Sequence, residues 1–393
     1  MNEHNLVLDP KNIPLSLYVH IPWCVKKCDY CDFNSHTLPT HVPFAEYVKA
    51  LLADAKSQVG FVQGRAIQSI FIGGGTPSLL PVHEYRVLFA GLRDIFEFVS
   101  DIEITIEANP GTLEHAPFDE YLSLGINRLS LGVQSFDNQA LSRLGRVHGT
   151  DEAMNAICHA KSAGFERINV DLMHGLPMQT HQMARRDIET ALSLGASHIS
   201  WYQLTIEPNT AFYRSPPDLP SEDELEKIEH VGRECLIQAG FTNYEVSAWV
   251  GADDKPCRHN MNYWQFGDYL AIGAGGHGKI TLLNHDEHAD GVYRYAKSRL
   301  PKDYLSYDKT PKMVQFHRIA EEDLPFEFMM NALRLADGVS TTTFEERTGL
   351  LVSTIDNELL PLQHQGFMVF RPDILAPTKM GFRYVNHLVR AFL

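Results

Sequence analysis

Between residues 15 and 205, short runs rich in β-branched and aromatic residues alternate with segments whose apolar residues recur every three or four positions. The β-type runs are residues 15–21, 67–73, 102–108, 128–133, 167–173 and 198–205. A helical stripe lies between the first two, where Phe44, Tyr47, Val48, Leu51, Leu52 and Ala55 share one face. Strand-plus-helix units in succession predict an α/β fold with a parallel sheet. Some runs, such as Ser69-Ile-Phe-Ile72, read apolar nearly throughout, as strands covered on both faces do. Six units fall short of a closed eight-fold barrel. Periodicity therefore leaves a partial (β/α)6 barrel and a doubly wound sheet, and both collect functional groups at the carboxyl ends of the strands.

A proline-rich stretch from Arg214 to Pro220 interrupts the alternation, and Ser221 with Glu222, Asp223 and Glu224 then opens a long helix. Loop-rich sequence follows to about Lys312. From Phe316 the pattern predicts helices, a short strand over 366–371 and a last helix from Thr378, a winged-helix-like arrangement. Three parts are expected: a core over 1–213, an extension over 214–312 carrying a ligand-binding loop, and a helical domain over 313–393.

Composition narrows the function. With 34 Lys and Arg against 49 Asp and Glu, the net charge of −15 argues against nucleic acid as a partner. The first ten residues lack a basic region followed by an apolar stretch, and no window reaches the roughly 18 apolar residues of a membrane span. A cytoplasmic location is expected.

Six cysteines are too few for a disulfide framework. Cys24, Cys28 and Cys31 follow the first strand as C-x3-C-x2-C, and short loops let three thiolates converge on a soft metal centre. Asp32, and not histidine, follows Cys31, which excludes c-type haem attachment. One alternative is structural zinc with His20 or His36 as fourth ligand. The other is a four-iron cluster, in which three ligands leave one iron open. Gly73-Gly-Gly75 ends a strand and permits close backbone approach, but no Gly-Lys-Ser/Thr follows to make a P-loop. Farther on, Cys257-Arg-His259-Asn260-Met-Asn-Tyr263-Trp264 places a possible axial iron ligand, His259, beside flat apolar surface. A histidine in a loop is more often simply solvated. The string Gly273-Ala-Gly-Gly-His277-Gly278 fits G-x-G-x-x-G, yet the sequence after it reads as a strand, so a Rossmann site is rejected. His277 and Cys257 remain spare candidates.

C-x3-C-x2-C with Tyr30 before the last cysteine resembles the signature of the radical S-adenosylmethionine superfamily. The resemblance implies a [4Fe–4S] cluster on Cys24, Cys28 and Cys31, whose open iron chelates the methionine moiety and whose reduction yields a 5′-deoxyadenosyl radical. Segments 16–24, 73–77, 106–110, 130–136 and 169–177 are similar, in order, to the oxygen-independent coproporphyrinogen oxidases and their HemW relatives. That similarity implies S-adenosylmethionine contacts from Tyr18, Tyr30, Gly74, Gly75, Thr76, Glu107, Gln134, Arg146, Asp171 and Thr205.

The string His259-Asn260-x-x-Tyr263-Trp264 resembles the motif of HemW-type haem chaperones, and implies haem held by these four residues. The implied partners are acceptor apo-haemoproteins, membrane-bound respiratory cytochromes among them, and a reductant for the cluster, with delivery at the membrane periphery. The alternative, radical decarboxylation of coproporphyrinogen III, meets two departures: Phe33 stands where the oxidases carry a fourth cysteine, and only 23 residues precede Cys24. A tRNA-modifying enzyme is disfavoured by the acidic charge.

Overall fold

The computed structural model describes residues 8–112, 118–306 and 313–393. The amino-terminal reading over residues 1–7 and the end of the loop-rich region at Lys312 lie outside them. The strands in chain order are β1 (Leu15–Ile21), β2 (Trp23–Cys24), β3 (His36–Thr37), β4 (Ile67–Gly74), β5 (Phe98–Ala108), β6 (Arg128–Gln134), β7 (Arg167–His174) and β8 (His198–Gln203). They continue as β9 (Thr242–Glu245), β10 (Ala248–Val250), β11 (Asp268–Ile272), β12 (His277–Leu282), β13 (Gly291–Lys297), β14 (Met313–Arg318), β15 (Val339–Ser340) and β16 (Ile374–Leu375).

Twelve of these form one sheet in the order β14-β13-β12-β11-β1-β4-β5-β6-β7-β8-β10-β9. The six expected strands are present and run parallel to one another. A seventh parallel strand, β11, pairs with β1, and antiparallel strands extend both edges. The stretch read as loop-rich thus supplies β9 to β13. Because β14 pairs with β13, the sheet continues to Arg318.

The strands are not apolar on both sides, as Ser69–Ile72 had suggested. Leu15, Leu17, Val19 and Ile21 alternate with Ser16, Tyr18 and His20 on β1, and Ile104 and Ile106 with Glu103, Thr105 and Glu107 on β5. On β7, Ile168, Val170 and Leu172 alternate with Asn169 and Asp171. The apolar set joins Tyr47, Leu51, Leu88, Ile157 and Ile188 of the helices in the main core. The polar set faces inward, where side chains two strands apart meet: Arg167 Nη1 reaches Glu103 Oε2 at 2.6 Å, and Tyr202 donates to Gln134 Oε1 at 2.7 Å. One apolar face and one concave polar face make an open barrel and not a doubly wound sheet.

Two buried carboxylates fasten the added strands. Asp268 on β11 accepts from Arg65 Nη1 (2.7 Å), Lys279 Nζ (2.8 Å) and the Thr281 amide (2.8 Å). Asp54, in the helix Phe44–Ser57, holds Lys297 Nζ at 2.8 Å and the Tyr304 hydroxyl at 2.7 Å.

The carboxyl-terminal part has its own core of Phe328, Phe344, Leu359, Leu362 and Leu388, contributed by short helices. The strand expected over 366–371 is absent. Only Met368 bridges, to Pro377, and the two-residue strands β15 and β16 pair instead. Gly366 in the left-handed region (φ 77°) and Phe370, 68% exposed, give that stretch neither extended backbone nor a buried face.

Removing one partner from a buried charge cluster leaves the others uncompensated, so Asp268→Ala is expected to cost about 3–5 kcal/mol. Glu120→Ala, which breaks the exposed Arg86–Glu120 pair, is expected to cost at most about 1 kcal/mol. Urea denaturation checks both. Equal losses would mean that the Asp268 cluster does not anchor the sheet.

Candidate functional site

The cysteine loop leaves β1 and returns to it. The His36 amide donates to Pro22 O (2.7 Å) and the Leu38 amide to Cys24 O (2.9 Å), so the loop is closed at its base. Each sulfur has a polar neighbour. Thr76 Oγ1 donates to Cys24 Sγ at 3.5 Å, Arg146 Nη1 to Cys28 Sγ at 3.4 Å, and Ser35 Oγ lies 3.8 Å from Cys31 Sγ. Burial raises the thiol pKa of Cys24 and Cys31, and these hydroxyls oppose the rise.

Both imidazoles weighed as a zinc ligand are hydrogen-bonded. His20 Nε2 faces Asn34 O (2.9 Å) and its Nδ1 the Tyr18 hydroxyl (3.1 Å), while His36 Nε2 faces Arg299 O (3.3 Å). Among the described residues no three His, Cys, Asp or Glu side chains converge tightly enough for one metal ion. A four-iron cluster takes each thiolate on a different iron.

The glycine run packs against this loop. A Cβ on Gly75 would lie 2.5 Å from Trp23 O, and one on Gly74 (φ 114°) 2.6 Å from the His20 ring. The Gly75 amide donates to Ile21 O and the Thr76 amide to Trp23 O, both at 2.7 Å. Absence of side chains lets the end of β4 lie directly on the root of the cysteine loop.

At the carboxyl ends of the strands, Glu107 Oε2 accepts from the Gly74 amide at 3.2 Å. Burial first, and then the Asp171 charge, pushes the Glu107 carboxyl up to about 8. Asp171 accepts from Asn169 Nδ2 (2.8 Å) and Ser130 Oγ (3.1 Å), and burial raises its pKa as well. Tyr18, Gly74 and Glu107 line a cavity of about 650 Å³ together with His259 and Tyr263. Thr76 and Arg146 lie on the sulfurs instead, and Gln134 on Tyr202. Tyr30 packs beside Ala140, Leu144, Met173 and Leu176 beneath the loop. Thr205 lies exposed just beyond the end of β8.

The segment after Cys257 is not the expected loop but a helix, Arg258–Trp264. Its cap comes from the sheet: Glu103 Oε1 accepts from the amides of Arg258 (2.8 Å) and His259 (3.3 Å) and lies 3.5 Å from Cys257 Sγ. A carboxylate there also meets the positive end of the helix dipole. The His259 ring stacks on Phe71, centroids 5.0 Å apart, with Tyr18 at 6.3 Å. Burial pulls His259 down to about 4, so the imidazole is neutral, and its Nδ1 is buried without a partner among the described residues. Tyr263 stacks on Tyr269 at 4.9 Å.

Trp264 faces the other way, against the carboxyl-terminal core, with the Arg334 guanidinium 5.3 Å from its ring. Asn260 does not line the cavity, and neither does Cys257, whose thiol burial pushes up to about 12. His277 lies on the cavity rim.

Sequence reading missed Glu103, Tyr269 and Arg299. Glu103 carried one usable signal, its alternation with Thr105 and Glu107 on the face opposite Ile104 and Ile106.

The family model for the radical SAM superfamily matches residues 18–191, and that for the HemN C-terminal domain matches residues 319–384. The heme chaperone HemW of Haemophilus influenzae is 44% identical, over 98% of this chain and 99% of its own. The heme chaperone HemW of Escherichia coli is 45% identical, over 97% and 98%. Among solved structures, coproporphyrinogen III oxidase (HemN) from Escherichia coli, a radical SAM enzyme, has a TM-score of 0.82 at 24% identity, covering 98% of this chain and 91% of that one. That structure shares the fold.

The raised Glu107 carboxyl predicts a pH dependence. Its folded pKa of about 8 exceeds the unfolded value. The associated stability is therefore fully present below the unfolded pKa and lost as pH rises through about 8. Glu107→Gln, which carries no proton to lose, should show a smaller loss of urea stability over that window. Equal slopes in the two proteins would mean that Glu107 is not held protonated.

Proposed function

Because this chain belongs to the HemW family of the radical SAM superfamily, we propose that it binds haem and passes it to acceptor haemoproteins, with a [4Fe–4S] cluster and S-adenosylmethionine bound beside the haem. One observation carries the reading: His259, neutral and making no hydrogen bond through its Nδ1 among the described residues, lines the same cavity as Gly74 and Glu107. A neutral imidazole is what an iron ligand must be.

The stacked pair of Tyr263 and Tyr269 offers a flat apolar wall of the kind a macrocycle covers. Trp264 is left to the contact between its helix and the carboxyl-terminal domain. Cys24, Cys28 and Cys31 would hold the cluster, with Thr76, Arg146 and Ser35 directed at the three sulfurs. Hydrogen bonds to cluster sulfurs tune their potential. When bound, the cluster with its chelated cofactor supplies one-electron chemistry. Glu107 and Asp171 are the carboxylates available to hold an ammonium or ribose hydroxyls at the strand ends, and a bound cation there would draw both toward ionisation. Acceptors that include membrane-bound cytochromes, and an electron donor for the cluster, complete the reading. Among the described residues no helix is long and apolar enough to cross a membrane.

Anaerobic reconstitution of Cys28→Ala is expected to yield no stable iron–sulfur chromophore. Wild-type iron and sulfide content in that variant would overturn the ligand assignment. Asp171→Ala in the reconstituted protein should bind S-adenosylmethionine about 5- to 150-fold more weakly by calorimetry, the cost of one unpaired buried polar group.

Haem titration tests the central reading. His259→Ala should shift the Soret band and weaken binding, while Trp264→Ala should leave the band position unchanged. An unaltered spectrum in His259→Ala would place the iron ligand elsewhere. Wild type that ignores haem and decarboxylates coproporphyrinogen III would replace the chaperone reading with the oxidase.

A further inference from the structure

The cavity that His259 lines differs in character from floor to rim. Its floor carries Gly74 and Glu107, and its walls are aromatic: Tyr18, His259, Tyr263 and Tyr269. The rim brings together Phe33 from the cysteine loop, 63% exposed, and Val314 from the edge strand β14, 56% exposed, with His277 and Arg299. An apolar lip beside a guanidinium suits a ligand that is flat and apolar over most of its surface and anionic along one edge.

Arg299 is anomalous among the cations near this cavity. Lys297 is bound to Asp54 at 2.8 Å, and Arg294 to Glu327 at 2.6 Å and to the Tyr269 hydroxyl at 2.9 Å. The Arg299 backbone is fixed, because its carbonyl accepts from Asn34 Nδ2 at 2.9 Å and faces His36 Nε2 at 3.3 Å. Among the described residues its guanidinium makes no ion pair with a carboxylate, in a chain with 49 acidic side chains. A rigid backbone with an uncommitted guanidinium at a cavity mouth is an arrangement for an external anion. His277 stands beside it: burial, then the Arg299 and Arg294 charges, lowers its pKa, so it serves as a neutral hydrogen-bonding partner. Asp32 lines the same cavity and disfavours an anion placed against it.

We propose that Arg299, with His277, forms a carboxylate subsite at the mouth of the cavity, receiving the propionate edge of a porphyrin whose ring lies against the aromatic walls. This rests on the haem reading for the identity of the porphyrin, although the subsite itself requires only a tetrapyrrole with carboxylate side chains.

Haem and its dimethyl ester, in which both propionates are masked, are titrated by Soret absorbance into the full chain and into Arg299→Gln, Arg299→Lys and His277→Gln. Wild type should prefer haem to the ester. Arg299→Gln should lose about ten- to hundredfold in haem affinity, the scale of a charge-assisted hydrogen bond, with ester affinity unchanged. Arg299→Lys should recover part of the loss, and His277→Gln should lose less than Arg299→Gln. Equal haem affinity in wild type and Arg299→Gln, or a parallel loss for haem and ester, overturns the subsite and leaves the haem reading standing.

If wild type binds no haem, the haem reading fails separately. The same variants are then titrated with coproporphyrin III, a tetracarboxylate. Dependence on Arg299 there supports the subsite, and independence overturns it.

Discussion

A parallel sheet with one polar face cannot bury that face against hydrocarbon, and the groups on it must find partners. This requirement organises the molecule. The helices cover the apolar face, and the polar face becomes the inside of an open barrel. At the amino ends of the strands the protein answers most of its own groups, Arg128 Nε being buried without a partner among the described residues. Glu103 pairs with Arg167, His198 Nδ1 faces Asn169 Oδ1 at 2.6 Å and its Nε2 the Tyr244 hydroxyl at 2.9 Å, and Ser197 and Arg167 both reach Asp254. At the carboxyl ends it does so less completely. Burial raises the pKa values of Glu107 and Asp171, and among the described residues His259 Nδ1 has no partner. Perturbed carboxylates and an unpartnered imidazole mark that end as the candidate ligand site.

Glu103 joins the two ends. Its carboxylate lies among Arg128 and Arg167, which hold it ionised, and the same group caps the helix Arg258–Trp264 that carries His259. A charge on the barrel floor thus sets the height of an imidazole in the cavity above it. The other end of that helix is held differently, through Trp264 and Met261 against the carboxyl-terminal core. His259 is consequently positioned by both the sheet and the small domain.

Much of this was legible in the sequence because it is local. The six parallel strands each announce themselves within a few residues, and the cysteine spacing is confined to eight positions. What escaped depends on partners far along the chain. Strand β11 contains Asp268, a poor strand residue by propensity, made stable by Arg65, 203 positions away, and by Lys279. The helix at 258–264 has only seven residues and no side-chain cap of its own, since the acceptor for its first amides comes from 155 positions earlier. In the stretch over 366–371 the reverse holds: a locally plausible strand finds no neighbour except at Met368. Reading Trp264 with Tyr263 as one aromatic surface failed for a geometric reason, because adjacent helical residues point about 100° apart.

The cysteine loop and the cavity share their fastenings and so cannot be independent modules. His20 contacts Tyr18 on the cavity wall through one nitrogen and the Asn34 carbonyl in the loop through the other. Asn34 Nδ2 then bonds the carbonyls of Ala274 and Arg299, on the far side of the cavity. The glycine run closes the remaining side, since β4 contacts the loop root where any Cβ would collide. A displacement of the loop would be passed to these bonds, because the backbone at Gly74 and Gly75 packs closely on the loop root. The cavity wall at Tyr18 and the rim at Arg299 are therefore tied to the cysteine loop through contacts of single hydrogen-bond length.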